Sequence, residues 1–211
     1  TSGQLTNQGT MVWSVGNLEL GPSSTNSVTL TNQSGALFDI QGNQTLTVNN
    51  AGATLHNGTF TFVNQSGAEL RRSSGTGTTQ LGAQADGDSS TAFNLQNAGA
   101  FNVNTGTVQI ARATTTGSSG GSISVASGAL LDYAAGTNTF TTLTKTGAGA
   151  LRFSGGSSTL AGTSSTTNLE LTGGTLTVGA GATLGTTNLA FSGGALTGTG
   201  EVSLSGSTST W

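Results

Sequence analysis

Leu151-Arg152-Phe153-Ser154-Gly155-Gly156 returns as Leu169-Glu170-Leu171-Thr172-Gly173-Gly174 and again as Leu189-Ala190-Phe191-Ser192-Gly193-Gly194. Each phrase alternates apolar and other residues with period 2, the pattern of a strand with one buried face. The Gly-Gly pair supplies backbone conformations that residues with a Cβ avoid, so the chain turns a corner there. A second short strand follows each corner, at Ser158-Thr159-Leu160, Thr175-Leu176-Thr177-Val178 and Ala195-Leu196-Thr197. Strand, glycine corner, strand, at intervals near the lower edge of solenoid periods, predicts successive rungs of a parallel β-helix. Stacking then places Phe153, Leu171 and Phe191 in one inward column and Arg152, Glu170 and Ala190 in an outward one, with Arg152 beside Glu170.

Composition bounds what such a chain does. Of its 211 residues 6% are charged, against roughly 25% in an ordinary globular domain. Glycine is abundant (35 residues), yet 33% of the chain is hydrophobic and alternates, as a disordered linker has no reason to do. A net charge of −3 with five scattered basic residues offers nothing to nucleic acid. There is no cysteine, hence neither a disulfide framework nor a thiolate metal site. No apolar run approaches the ~18 residues of a membrane span, so no membrane insertion by this segment is expected. The chain opens Thr1-Ser2-Gly3 and repeats run to both ends, so residues 1–211 read as a single solenoid segment excised from a longer repetitive protein.

The same rhythm is present from Leu5 onward. A Gly-Ala step introduces many strands, as at Gly35-Ala36, Gly52-Ala53, Gly67-Ala68, Gly99-Ala100, Gly128-Ala129, Gly149-Ala150 and Gly181-Ala182. Asn7, Asn32, Asn49, Asn50, Asn64 and Asn97 stand just before corners, where Asn bonds local backbone and stacked amides form ladders between rungs. Asn17-Leu18-Glu19-Leu20 repeats at Asn168, which gives the two ends one rung type. The rhythm breaks at residues 71–91, where charges are densest, and at residues 114–121, rich in Thr, Ser and Gly. Both are expected as excursions from the helix, the first holding a short strand near Thr78 to Leu81. No window carries helical periodicity. The fold expected is all-β, a right-handed parallel β-helix of roughly ten rungs and about 50 Å, with essentially no α-helix.

Candidates for chemistry are few. The carboxylates are Glu19, Asp39, Glu69, Asp86, Asp88, Asp132, Glu170 and Glu201, and only Asp86 and Asp88 are close in sequence. An extended Asp-Gly-Asp points both carboxylates one way, toward Ca²⁺, but the further oxygens of a 6- to 8-coordinate site are missing, so a solvated turn is the expectation. His56 is the single histidine; without cysteine, zinc would need it plus carboxylates, and no nucleophile-elbow motif accompanies it. Arg71-Arg72 suits an anionic glycan, yet neighbours on a strand point to opposite faces. Flat ranks of Thr suit ice, and Thr45-Leu46-Thr47, Thr59-Phe60-Thr61 and Thr175-Leu176-Thr177 have the Thr-x-Thr form. An ice face repeats that form on every rung in register, whereas along the sequence it is sporadic. No catalytic, cofactor-binding or metal site is assigned, and no cofactor is expected.

Residues 97–108, Asn-Ala-Gly-Ala-Phe-Asn-Val-Asn-Thr-Gly-Thr-Val, and residues 122–132 resemble the Gly/Thr/Asn-rich units of very large repetitive bacterial surface proteins. The tail from Gly198 through Glu201-Val202-Ser203-Leu204 to Trp211 looks like the start of a further unit. The chain is similar to the passengers of autotransporters and to filamentous-haemagglutinin-like adhesins, although it carries no secretion domain or barrel. The resemblance implies a parallel β-helix, secretion or cell-surface display, and a role in adhesion or as a spacer. The expectation is therefore a non-enzymatic structural rod or stalk, extracellular or on the cell surface, whose partners are itself (end to end or laterally) or surface glycans. The alternative is a β-helix that binds or cleaves carbohydrate, with residues 71–91 and 114–121 as its site walls; ice binding is the minor alternative.

Overall fold

The computed structural model describes residues 3–20, 27–48, 58–84, 92–116 and 121–211. Among them there is no helix, and every strand pairing is parallel. The chain is a parallel β-helix. Its first rung is β1 (Gly3–Asn7), β2 (Thr10–Trp13) and β3 (Leu18–Leu20); its second is β4 (Ser27–Asn32), β5 (Leu37–Gln41) and β6 (Thr45–Val48). The third comprises β7 (Thr59–Asn64), β8 (Glu69–Ser74) and β9 (Thr78–Gln84), and the fourth β10 (Ala92–Asn97), β11 (Ala100–Val103) and β12 (Thr107–Ile110). The fifth comprises β13 (Ala113–Thr116), β14 (Ser122–Val125) and β15 (Leu130–Tyr133), and the sixth β16 (Gly136–Phe140), β17 (Leu143–Thr146) and β18 (Ala150–Phe153). From there the second and third strands fuse: β19 (Ser157–Leu160) with β20 (Thr163–Leu171), then β21 (Thr175–Val178) with β22 (Thr183–Phe191). The last rung is β23 (Ala195–Gly198) and β24 (Glu201–Leu204), with Thr210 bridging to Ala190.

Three faces result. The first holds β1-β4-β7-β10 and β13-β16-β19-β21-β23; the second and third join in one 15-stranded sheet because β20 and β22 run through both. The described residues make nine rungs rather than the expected ten, since the period is not uniform. On the second face Leu37 pairs with Glu69, Glu69 with Ala100 and Ala100 with Ser122, whereas late in the stack Thr183 pairs with Glu201. The rungs thus shorten markedly from the amino-terminal end of the stack to the last. At ~4.8 Å per rung the stack is about 40 Å long.

The expected excursion at residues 71–91 does not begin at Arg71. β8 pairs β5 and β11, and β9 pairs β6 and β12, so the ladder runs through to Gln84. The charges are compatible with a strand because Glu69 and Arg71 point outward while Leu70 and Arg72 point in. Likewise β13 carries the first face through residue 116, pairing Thr114 with Thr137 and Thr116 with Thr139. Residues 85–91 and 117–120 lie outside the described residues.

Inward positions form columns. Tyr133, Phe153, Leu171 and Phe191 are successive partners on the third face, as the repeated phrase requires, and Leu131, Leu151, Leu169 and Leu189 make the adjacent column. Phe38, Leu70, Phe101 and Ile123 do the same on the second face. Tyr133 stacks on Phe153 at 5.6 Å between centroids, and Phe38 meets Phe62 edge-on at 5.2 Å, so aromatic contacts tie rungs and faces into one core.

Corners are of two kinds. In Gln33-Ser34-Gly35-Ala36, Gln65-Ser66-Gly67-Ala68, Ala126-Ser127-Gly128-Ala129 and Gly179-Ala180-Gly181-Ala182 the last N–H donates to the first carbonyl at 2.8–3.0 Å, and the glycine has φ of 72–80°. That is a four-residue turn with glycine at the left-handed position, which starts the next strand on a buried alanine. It accounts for these four Gly-Ala steps; Gly52-Ala53 lies outside the described residues. The Gly-Gly corners work by proximity as well. A Cβ on Gly155 would overlap the carbonyl oxygen of Ala134 on the rung before, while Gly156 has φ of 69°. Ser154 and Gly155 both donate their N–H to the Tyr133 carbonyl, at 3.0 and 3.4 Å.

Candidate functional surfaces

Four buried asparagines, Asn7, Asn32, Asn64 and Asn97, stack at the corner between the first and second faces of the first four rungs. Each Nδ2 donates to the next Oδ1, at 2.8, 2.9 and 2.7 Å. The second amide hydrogen goes to the carbonyl of Leu37, Glu69 or Ala100 on the following rung, at 2.8–2.9 Å. The amide hydrogens of Asn7, Asn32 and Asn64 are thus all satisfied within the wall. A second, more open ladder joins Asn168, Asn188 and Thr208 near the other end, at 2.9 and 2.7 Å.

Two cations lie inside the helix, both where the second face bends into the third. Arg72 is wholly buried and donates to the carbonyls of Thr107 (2.7 Å), Gly75 (3.2 Å) and Gly77 (2.9 Å) and to Asn43 Oδ1 (2.8 Å). Lys145 is 1% exposed; its Nζ donates to the carbonyls of Gly147 (3.0 Å) and Gly149 and to Thr167 Oγ1 (2.7 Å). Among the described residues neither forms an ion pair with a carboxylate. Burial lowers the Arg72 pKa and pushes Lys145 down to about 8. Sequence reading missed both. The alternation Leu70-Arg71-Arg72 carried a clue, since an inward Leu70 requires an inward Arg72.

The carboxylates are dispersed. Asp39 takes a fork from Arg71, at 3.1 and 3.0 Å, and a bond from Gln41 at 2.8 Å. Burial raises its pKa, but the hydrogen bonds from Arg71, Gln41 and Ser73 and the Arg71 charge outweigh burial, so the carboxyl sits below its ordinary value. Glu69 lies 3.8 Å from Arg71 and accepts from Asn102 at 2.9 Å. Arg152 meets Glu170 at 2.7 Å, in the register expected from the repeat. Asp132 accepts from Ser154 (2.7 Å) and Gln109 (3.3 Å). Every one of these carboxylates is taken up in a rung-to-rung bond. Among the described residues no three His, Cys, Asp or Glu side chains gather as metal ligands. His56, Asp86 and Asp88 lie outside the described residues.

Concavities are shallow. A groove of about 430 Å³ runs beside residues 63–66 and 96–98, where the four-residue corner of the third rung overhangs the two-residue corner of the fourth. Another, about 490 Å³, lies beside Gly82, Ala111, Arg112 and Gly136. The first face differs from the other two in chemistry: among the described residues none of its strands carries a charged side chain. Thr59-x-Thr61 and Thr175-x-Thr177 both belong to it, whereas Thr45-x-Thr47 is on the third face. No helix among the described residues is long and apolar enough to cross a membrane.

The chain matches no protein-family model, and no curated protein or solved structure is detectably similar to it.

Proposed function

We propose that this segment is a non-enzymatic structural rod or stalk of a secreted or cell-surface repetitive protein, placing an adhesive or spacing element at a distance. One observation carries the reading: the second face carries one parallel backbone ladder through all nine rungs, and the buried asparagine column and Arg72 add side-chain bonds from one rung to the next. Such a stack resists extension because pulling one rung away breaks a whole set of backbone bonds at once. Stretching single molecules between their termini tests it. The expected record is a series of discrete releases, about 70 Å for each short rung and about 110 Å for the longer rungs near the amino terminus. Smooth extension at negligible force overturns the rod. A glycan array with a reducing-end assay tests the carbohydrate reading, and selective binding or released sugar would replace the rod with it.

A further inference from the structure

We infer that the first face of rungs six to nine is an ice-binding surface. Its outward positions form two parallel ranks: Thr137, Ser157, Thr175 and Ala195 in one, Thr139, Thr159, Thr177 and Thr197 in the other. Between them the inward positions are Asn138 and Phe140, Ser158 and Leu160, and Leu176 and Val178, all buried, so the flanking hydroxyls face out. On β13 the backbone continues both ranks by one rung, since Thr114 pairs with Thr137 and Thr116 with Thr139. The form that looks sporadic in the sequence is therefore in register, complete at Thr137-x-Thr139 and Thr175-x-Thr177 and kept by Thr159 and Thr197 in the second rank where Ser157 and Ala195 fill the first. Ser157 and Ala195 hide it, since they break the Thr-x-Thr form on the seventh and ninth rungs while the strands keep register.

Four features suit this array to a solid water surface and to little else. First, the positions repeat in two dimensions, ~4.8 Å from rung to rung and ~6.7 Å along each strand, spacings of the order that separates oxygen rows in ice. Second, threonine is stiff at χ1, so a ladder of threonines holds its hydroxyls and methyls at that spacing before anything binds. Thr177 and Thr197 show the coupling directly, with their Oγ1 atoms 3.0 Å apart. Third, no charge lies on these strands to impose its own hydration shell. Fourth, the face is bordered on one side by Gly155-Gly156, Gly173-Gly174 and Gly193-Gly194, so no side chain rises above the plane there. A protein partner would want aromatic or arginine anchors, and nucleic acid would want positive charge; the face has neither. Ice asks only for hydroxyls and methyls at a fixed repeat. The inference stands apart from the rod reading, since a rod with any function can carry such a face.

The test uses the whole chain. Thermal hysteresis is measured by osmometry, and partition of fluorescently labelled protein into a slowly growing ice hemisphere is imaged. The expected result is measurable hysteresis with faceted crystals and label carried into the ice. T159Y/T177Y, which raises two rings in the middle of one rank, is expected to lower hysteresis at least tenfold. T144Y on the second face is expected to leave it unchanged, circular dichroism reporting the β fold of both. If T159Y/T177Y fails to fold, the single variant T177K, which adds one charge to the same plane, takes its place. Exclusion of the wild-type protein from ice overturns the inference, and so does equal loss in T144Y and T159Y/T177Y.

Discussion

The third and fourth rungs and the sixth to eighth hold different corners with different chemistry: side chains bond the corners between faces of one early rung, and glycine pairs close the step from one late rung to the next. The early rungs are long, their partners far apart along the chain, as Asn64 is from Asn97 and Glu69 from Ala100. They hold their corners with polar side chains: the Asn7–Asn97 ladder and the buried fork of Arg72. In the later rungs partners such as Ser122 and Thr144, or Leu151 and Leu169, are much closer in sequence. The corner there belongs to backbone, as glycine pairs let one rung's N–H and carbonyl groups approach the next. The buried cation recurs, Arg72 in one half and Lys145 in the other, and the amide ladder returns only in the open form of Asn168 and Asn188. A long rung has loose backbone at its corners and needs side chains to bond it. A short rung has no slack, so it needs the absence of side chains.

The largest expected effect comes from removing the early cation. Arg72→Met takes the guanidinium from the carbonyls of Thr107 and Gly75 and leaves the Gly77 carbonyl only the Thr107 N–H and Asn43 Oδ1 only the Gly77 N–H, and is expected to cost about 3–5 kcal/mol. Lys145→Met costs less, about 1–3 kcal/mol, because Thr167 Oγ1 already donates to the Gly147 carbonyl at 2.6 Å. The two also differ with pH. An arginine stays charged at any pH that leaves the protein intact, whereas Lys145, at about 8, gives up its proton in the folded state before it does so unfolded. Between pH 8 and pH 10 the unfolded chain therefore binds more protons, and stability rises with pH by up to about 3 kcal/mol. Burial raises the pKa of Tyr133, which reverses the trend above pH 10. Urea midpoints of the wild type, R72M and K145M across this range check both statements: K145M alone is expected to be flat between pH 8 and 10, and a flat wild type would refute the assignment.

Next in size is the amide ladder. Asn64→Ala removes two donated bonds, to Asn97 Oδ1 and the Ala100 carbonyl, and leaves Asn32 Nδ2 only its backbone acceptors, an expected loss of about 2–4 kcal/mol. Asn188→Ala breaks the open ladder of the later rungs, where water replaces the lost partner, and is expected to cost about 1 kcal/mol. Hydrogen exchange resolves the two regions separately. Comparable loss of protection around residues 64 and 188 would mean that the corners of both halves depend on side chains alike.

How much of this was legible follows the same division. In the late rungs the period is short and nearly constant, so Leu151, Leu169 and Leu189 announce their own register, and the Phe153 column and the Arg152–Glu170 pair come out of the sequence as they stand in the fold. In the early rungs partners are distant in sequence; the pentapeptide Asn32-Gln33-Ser34-Gly35-Ala36, returning as Asn64-Gln65-Ser66-Gly67-Ala68, marks one such step, but the step from Asn64 to Asn97 carries no such repeat. Arg71-Arg72 there looks like a loop by charge, although its alternation is that of a strand. The asparagine column was visible as a stacking possibility, but its bonds to the next rung's carbonyls need coordinates. The threonine ranks stayed hidden because Ser157 and Ala195 interrupt the Thr-x-Thr form, so that only strand register shows Thr159 and Thr197 in line with Thr139 and Thr177.

The smallest expected effect is at the surface, where both halves carry an ion pair across adjacent rungs. Arg152→Ala breaks a pair whose members are each about one-third exposed, so the loss is expected to stay at about 0.2–1 kcal/mol and to shrink in high salt. Arg71→Ala has the same charge change and a different consequence. Asp39 keeps only 4% of its side-chain surface exposed and loses a two-pronged donor, so about 1–3 kcal/mol is expected. The pH signature separates them further. Asp39 titrates below 3.8 in the folded state, so its stabilisation is complete above that value and disappears as acid protonates the folded carboxylate. In R71A the acid limb of the stability profile is expected to flatten, because the donor and charge that hold the folded Asp39 pKa down are gone; R152A leaves the Asp39 part of that limb as in the wild type. Parallel changes in the two variants would show that one-third exposure and near-complete burial make no difference to a rung-to-rung pair, and the contrast between the halves would then rest on their corners alone.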